Sequence, residues 1–397
     1  MNTNTQAIST TISFTLTATK PRVNSNFPIV TKQMPAILMA SLFVISMILV
    51  PWGTAYAANT AIKWHPGHYY GIINSQKDDP KYLANVYREL NETKALRGLK
   101  IPMTWAQLER GKGDYDFRSI DRHLARLAAE NKRLVIVLQT KSFKPEVALV
   151  PDYLKAEKYE GGQFAISDYG DSTNAIKGHN IKLWNGSVRY RLVQLVRALG
   201  EHYNLHPNFE GIGLEETALG QPLVAISREQ FDGFYENLLG VNKKMRIHFP
   251  NTMTFQFTNY PRGMLESFVD GLKNMGTSLG GPDVRLDDPG LFLKDQPNSP
   301  DGVYSYYPKL SGIVPLTPSV MPNNYLNTRY DGAGYKPTVQ QLLSFARDDL
   351  KANYIFWSRM WESHTRVLEM LNSRDQTKDP AGGLDPTCPS KYPSCAN

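Results

Sequence analysis

The chain has 397 residues, 41% hydrophobic and 11% aromatic, which suits a globular protein with a sizeable core. Its formal net charge is +7, but residues 1–57 hold Lys20, Arg22 and Lys32 and no acid, so the rest carries 41 basic and 37 acidic residues, or +4. That surplus is mild and has no long basic run, which excludes an electrostatic footprint for nucleic acid.

In chain order, Met34–Ala57 carries no charge. Its apolar run from Ala36 to Trp52 follows the basic residues and ends at Ala55-Tyr56-Ala57, a small-x-small cleavage pattern. Residues 1–57 are therefore expected to be a leader and secretory signal peptide, and the protein to be exported, periplasmic or secreted. Left uncleaved, the run would approach the ~18 residues that span a bilayer, so membrane association is expected only in that case.

His68–Ile73 reads as a strand, and Pro80–Thr93 as a helix with Leu83, Val86, Tyr87 and Leu90 on one face. Leu96–Trp105 is the second strand and Arg118–Asn131 the next helix. Arg133–Leu138 (RLVIVL) has the dense branched pattern of a strand buried on both faces, with Gln139 and Lys141 at its exit. A long loop is expected from Ser142 to Asn185, then a helix over Ser187–Tyr203. Phe209–Leu214 is a glycine-flanked strand that ends in two carboxylates, Glu215 and Glu216. Ser227–Val241 reads as a helix with a capping-box spacing, Thr252–Phe257 as a strand, Arg262–Met275 as a helix and Thr277–Leu279 as a short strand entering Gly280-Gly281-Pro282-Asp283. Gly312–Leu316 is the expected seventh strand, Thr338–Ala352 a helix, Asn353–Trp357 the last strand and Thr365–Asn372 the last helix.

Strands alternating with helices about eight times imply a parallel sheet with helical crossovers. Eight repeats in roughly 300 residues fit an α/β fold of the closed (β/α)8 TIM-barrel type, a single domain with long loops over residues 58–374. A polar, Pro-rich tail follows over residues 375–397. It holds both cysteines, Cys388 and Cys395, too few and too terminal for a metal site. In an exported chain they are expected to form a small disulfide that pins the tail and adds little to the fold.

In such barrels the strand C-termini carry the chemistry, which points to Glu215 and Glu216. No GxGxxG or GxxxxGK[ST] follows any strand, and HExxH, GxSxG and metal-spaced histidines are absent from the sequence. Neither a cofactor nor a metal is expected, and of the eight scattered histidines His68 and His248 are the two candidates for a role near the site.

Several segments resemble the clan of retaining glycoside hydrolases built on (β/α)8 barrels, of the family 5 and family 42 type. They are Trp105-Ala106-Gln107-Leu108-Glu109 with Gly113-Asp114-Tyr115-Asp116-Phe117 and Ile120-Asp121, then Glu215-Glu216, then Phe356-Trp357, within residues 64–372. The resemblance implies carbohydrate as substrate, Glu216 as general acid/base with its pKa raised by Glu215, and Glu215 where the clan has an asparagine that holds the sugar. It also implies Trp357 as a platform under the sugar ring. Substrate contacts are further expected from Trp105, Gln139, Lys141, Gln256, Tyr260, Trp361, Glu362 and His68, and aromatic platforms from Trp64, Tyr69 and Trp184.

Glycoside cleavage needs a protonated carboxyl and a second carboxylate. Adjacent strand residues point to opposite faces, so Glu215 and Glu216 are not expected to form that couple alone. The clan's second carboxylate is a glutamate on the seventh strand, but residues 312–321 contain no acid. Asp283 is the nearest substitute, as base or nucleophile, or else a turn residue satisfying its own backbone. Glu362 is expected in a rim ion pair, and Glu109 to brace its loop. The leading expectation is an exported glycoside hydrolase acting on a polysaccharide or oligosaccharide. The alternative is a catalytically inactive barrel that binds glycan, and a lyase or phosphodiesterase on the same fold is a third reading.

Overall fold

The computed structural model describes residues 61–72, 77–170, 173, 175–293, 296 and 298–397. The expected leader, the small-x-small site and Ile73 lie outside them.

Eight parallel strands close a barrel in sequence order: β1 (Gly67–Gly71), β2 (Leu96–Thr104), β3 (Arg133–Gln139), β4 (Phe209–Leu214), β5 (Met253–Phe257), β6 (Ser278–Gly281), β7 (Leu316–Val320) and β8 (Tyr354–Ser358). The closure is made by β8 against β1, with Ile355 opposite His68 and Trp357 opposite Tyr70. The crossovers carry α1 (Pro80–Glu92), α2 (Arg118–Ala129), α3 (Gly186–Tyr203), α4 (Arg228–His248), α5 (Arg262–Met275), α6 (Tyr307–Leu310), α7 (Val339–Ser344, continued by a π-turn over Phe345–Asp349) and α8 (His364–Leu371). The TIM barrel expected from the alternation is the fold of this chain.

Local chemistry explains the elements. Asp79 caps α1 by accepting from the Lys81 and Tyr82 N–H groups, with Pro80 in the first turn. Ser227 and Gln230 form the expected capping box of α4. That helix runs seven residues past Val241, because buried Met245 continues the stripe of Leu238 and Val241 through an otherwise polar stretch.

The branched pattern of β3 is buried on both faces: Leu134, Ile136 and Leu138 face the helices, while Val135 and Val137 face the lumen. The lumen is filled by Tyr69, Met253, Phe255, Phe257, Tyr354 and Phe356 around them. On β4 the glycines are required, since a Cβ at Gly213 would lie 2.2 Å from the Phe255 ring.

Two expectations are corrected here. The seventh strand is Leu316–Val320, not Gly312–Leu316; Gly312 sits in a turn at φ +73°, and Ile313 and Val314 bond back to Leu310. The polar residues Thr317 and Ser319 are hidden inside the barrel, bonded to Ser278 and Lys100, so the strand lacks an apolar signature. The stretch 142–185 is not one long loop. Segments Lys141–Ser142, Gly178–Ile181, Gln163–Ser167 and Gln221–Pro222 form an antiparallel sheet that grows from the exits of β3 and β4.

The opposite end of the barrel is sealed by the tail. Cys388 and Cys395 form the expected disulfide. Cys395–Ala396 pairs with Ile62–Lys63, Trp64 Nε1 donates to the Pro386 carbonyl, and Tyr392 meets Trp64 edge-on. The tail is therefore part of the closed end rather than a minor appendage. Inside that seal, fully buried Glu210 accepts from the His65 N–H, from His65 Nδ1 and from the Tyr354 hydroxyl at 2.7–2.8 Å.

Among the described residues no helix is long and apolar enough to cross a membrane.

Candidate active site at the C-terminal mouth of the barrel

Strand alternation turns Gly213 inward and Leu214 outward, so Glu215 is the next inward position and sits at the top of the lumen. It accepts a hydrogen bond from Gln139, the inward residue at the exit of β3. Burial pushes the Glu215 carboxyl up, and the neighbouring Glu216 charge adds to that push against Lys141, Lys100 and Gln139. Below it, Lys100 of β2 donates to Ser319 Oγ at 3.1 Å and lies over the rings of Phe257 and Phe356. Burial pulls Lys100 down to about 8, opposed by the Glu215 charge.

The strand ends at Leu214, so alternation no longer governs Glu216, and both carboxylates reach the mouth on the side of Lys141. Lys141 Nζ donates to Glu216 Oε1 at 2.6 Å and to the Ala218 carbonyl. Asn259, just past β5, donates from Nδ2 to Glu216 Oε2, and its Oδ1 accepts from the Ala218 and Tyr260 N–H groups. Each oxygen of Glu216 thus has its own donor, and both donors are themselves fixed by backbone.

Asp283 leaves β6 on the same mouth. Asn324, past the end of β7, donates to its Oδ1 at 2.8 Å, and Arg285 Nε lies 3.7 Å from the same oxygen. Burial pushes the Asp283 carboxyl up; Arg285 and Asn324 pull the other way, while Glu216 and Asp288 add to the push. The Glu216 and Asp283 charges therefore act on one another across the opening.

The residues around this centre differ from expectation in instructive ways. Trp357 is fully buried on the helix-facing side of β8, where its Nε1 donates to His68 Nδ1. It has no face to offer a sugar. His68 is buried with it, its Nε2 against the Gly382 carbonyl and Gln376, and burial lowers its pKa to about 4. Gln256 also points away from the lumen: it accepts from Asn242 of α4 and donates to the Glu215 and Phe257 carbonyls, so it supports the site from behind. Trp105 is buried and donates to Glu109 Oε2. Trp64 and Tyr69 are buried core, and Trp184 packs on Phe164. His248 ends α4 at the closed end, remote from the mouth.

Glu109 does brace its loop, through Trp105, Tyr153, Arg191 and the Gly113 N–H. Tyr260 stands at the exit of β5, with its hydroxyl against Gly290. Trp361 is 83% exposed beyond β8. Glu362 beside it is exposed and makes no ion pair among the described residues. Among the described residues no group of three or more His, Cys, Asp or Glu is placed to hold a metal ion.

No protein-family model matches the chain, and no curated protein does. Solved structures do match. The catalytic domain of beta-amylase from Paenibacillus polymyxa superposes with a TM-score of 0.53 at 8% identity, over 78% of this chain and 98% of that one. Beta-galactosidase from Bacillus circulans sp. alkalophilus gives 0.50 at 14% identity, over 75% of this chain and 51% of that one. This chain shares the (β/α)8 barrel fold of these two structures. At these identities the likeness concerns the backbone alone.

Several mouth residues are invisible to sequence reading. Tyr169 and Tyr330 are 66% and 73% exposed, and both feel the Glu216 charge. Tyr330 also stacks on the Arg285 guanidinium at 5.6 Å. Both lie in long connections, whose length is the one signal that points to them. Asn259, Lys100 and Asn324 were signalled by nothing beyond their position at or near strand ends.

Proposed function

We propose that the protein is an exported glycoside hydrolase that cleaves a polysaccharide or oligosaccharide at this mouth. Asp283 supplies the proton to the leaving oxygen, and Glu216 is the charged carboxylate that acts as nucleophile or base. These roles reverse the sequence expectation, in which Glu216 was the acid. The observation that carries the proposal is the contrast between the two groups. Glu216 has a lysine on one oxygen and an amide on the other, the environment of a working carboxylate, while Asp283 opposite is met on Oδ1, by Asn324 and by Arg285 at 3.7 Å, and is pushed up by burial and by the Glu216 charge against that pull. Glu215 lies beneath them with Gln139, placed for sugar hydroxyls. Tyr169, Tyr330 and Trp361 offer apolar faces around the opening, as sugar sites do.

The test is reducing-end release from a panel of polysaccharides by the wild type and by Glu216→Gln. Release that collapses in the variant supports the proposal.

A second reading is an inactive barrel that binds glycan. It is favoured by the exit of β7, where Asn324 stands and residues 312–321 provide no acid. Binding to one polymer with no release from any would establish that reading instead.

A further inference from the structure

At the closed end of the barrel, away from the mouth, Gly98 of β2 pairs with Arg133 of β3 with no room for a side chain between them. A Cβ at Gly98 would lie 1.9 Å from the Arg133 carbonyl oxygen. The approach sets Arg97 and Arg133 side by side, and the loop before β3 adds Lys132. Lys94 stands at the rim. Together with Glu130 and Asn131 they line a cleft of about 260 Å³.

Four cations share this cleft with one exposed carboxylate. Burial lowers the Lys132 pKa to about 8; the Arg97 and Arg133 charges add to the fall and Glu130 opposes it. Few donors are used up internally. Lys132 Nζ reaches the Leu96 carbonyl and Arg133 Nη1 the Asn131 carbonyl. The Nε atoms of Arg97 and Arg133 are both buried without a hydrogen-bond partner, the second lying 3.8 Å from Glu210. The four cations repel one another across the cleft, and a bound anion relieves that repulsion.

We propose that this cleft is a binding site for a tetrahedral oxyanion, a phosphate or sulfate group, held by Arg97, Arg133, Lys132 and Lys94. A doubly charged anion with acceptors on all sides matches two guanidinium forks and two ammonium groups, where a single carboxylate uses fewer of them. The group is either a free anion or the headgroup of an anionic lipid. The site is independent of the carbohydrate reading, because it lies at the other end of the barrel.

The experiment is calorimetric titration of the full protein with inorganic phosphate and with sulfate, against chloride at matched ionic strength. It is repeated with Arg97→Gln, Lys132→Met and the exposed, fold-neutral Lys94→Gln, each checked by circular dichroism. The expected result is saturable binding of phosphate or sulfate, weakened at least about tenfold by Arg97→Gln or Lys132→Met and measurably by Lys94→Gln, a factor of ten being about 1.4 kcal/mol. A parallel arm uses phosphatidylglycerol and phosphatidylcholine vesicles. Binding to the former alone, displaced by phosphate, assigns the headgroup; anion binding without vesicle binding assigns the free ion. No saturable binding in either arm, or binding that none of the three variants weakens, overturns the proposal.

Discussion

Lys141 Nζ lies 2.6 Å from Glu216 Oε1, with 2% of the lysine side chain and 14% of the glutamate exposed. A pair this enclosed is costly to break from one side, because the remaining charge keeps its burial and loses its partner. Lys141→Met is expected to destabilise the fold by about 3–5 kcal/mol, and Lys141→Met/Glu216→Gln to recover part of that loss. Urea unfolding of the four members of the cycle measures it. The expected coupling is about 1–3 kcal/mol, and a value near zero would mean that the contact is incidental.

Asp283 and Glu215 behave in the opposite way. Burial sets their folded-state pKa values above the unfolded ones. Each therefore favours the fold at low pH and loses that contribution as pH rises from the unfolded pKa, about 4, through the raised folded value. Asp283→Asn and Glu215→Gln are expected to melt at or above the wild-type temperature at pH 7, while Asp283→Asn abolishes turnover of the polysaccharide, whose leaving group needs a proton. A large fall in melting temperature would make Asp283 a structural turn residue.

Glu210 is the structural carboxylate of the opposite end. Burial pushes it up, but His65 and Tyr354 more than offset that and hold it below the ordinary range. Its contribution to stability is present above about pH 4.3 and is lost as pH falls through the lower folded value. Glu210→Gln is expected to cost about 3–5 kcal/mol at pH 7, with the gap to wild type closing in acid. Denaturation curves from pH 7 to pH 3 test it, and a gap that stays constant contradicts it.

The two tryptophans near the end of β8 separate packing from binding. Trp357→Ala removes a fully buried ring and is expected to cost about 3–5 kcal/mol. Trp361→Ala removes an exposed ring and is expected to leave stability within about 0.5 kcal/mol while weakening polysaccharide binding several-fold. Thermal melting and affinity electrophoresis read the two effects.

The alternation of β and α was legible because each strand and helix buries an apolar face, as in RLVIVL and in the stripe of α3. The seventh strand was displaced because its inward residues are Thr317 and Ser319, polar groups paired inside the barrel rather than an apolar signature. In the candidate site, the positions of Glu215, Glu216, Gln139, Lys141 and Asp283 at the mouth were legible from their places at strand exits. Trp357, His68 and Gln256 were misread, because in a strand one residue decides between lumen and helix layer, and the short β8 and β5 segments do not reveal which face a position takes. Tyr169, Tyr330 and Arg285 join the mouth through long connections, whose course depends on tertiary packing.

The most direct test of the division of labour is cleavage of two aryl glycosides of the sugar released in the panel, one with a good leaving group and one with a poor one. A good leaving group departs without a proton. Asp283→Asn is expected to cleave the good substrate with kcat/KM close to wild type and to lose kcat/KM on the poor one by a factor of about 10²–10⁴, while Glu216→Gln loses both. If Asp283→Asn loses both equally, or if Glu216→Gln is the variant rescued by the good leaving group, the assignment of proton donor and charged carboxylate is contradicted.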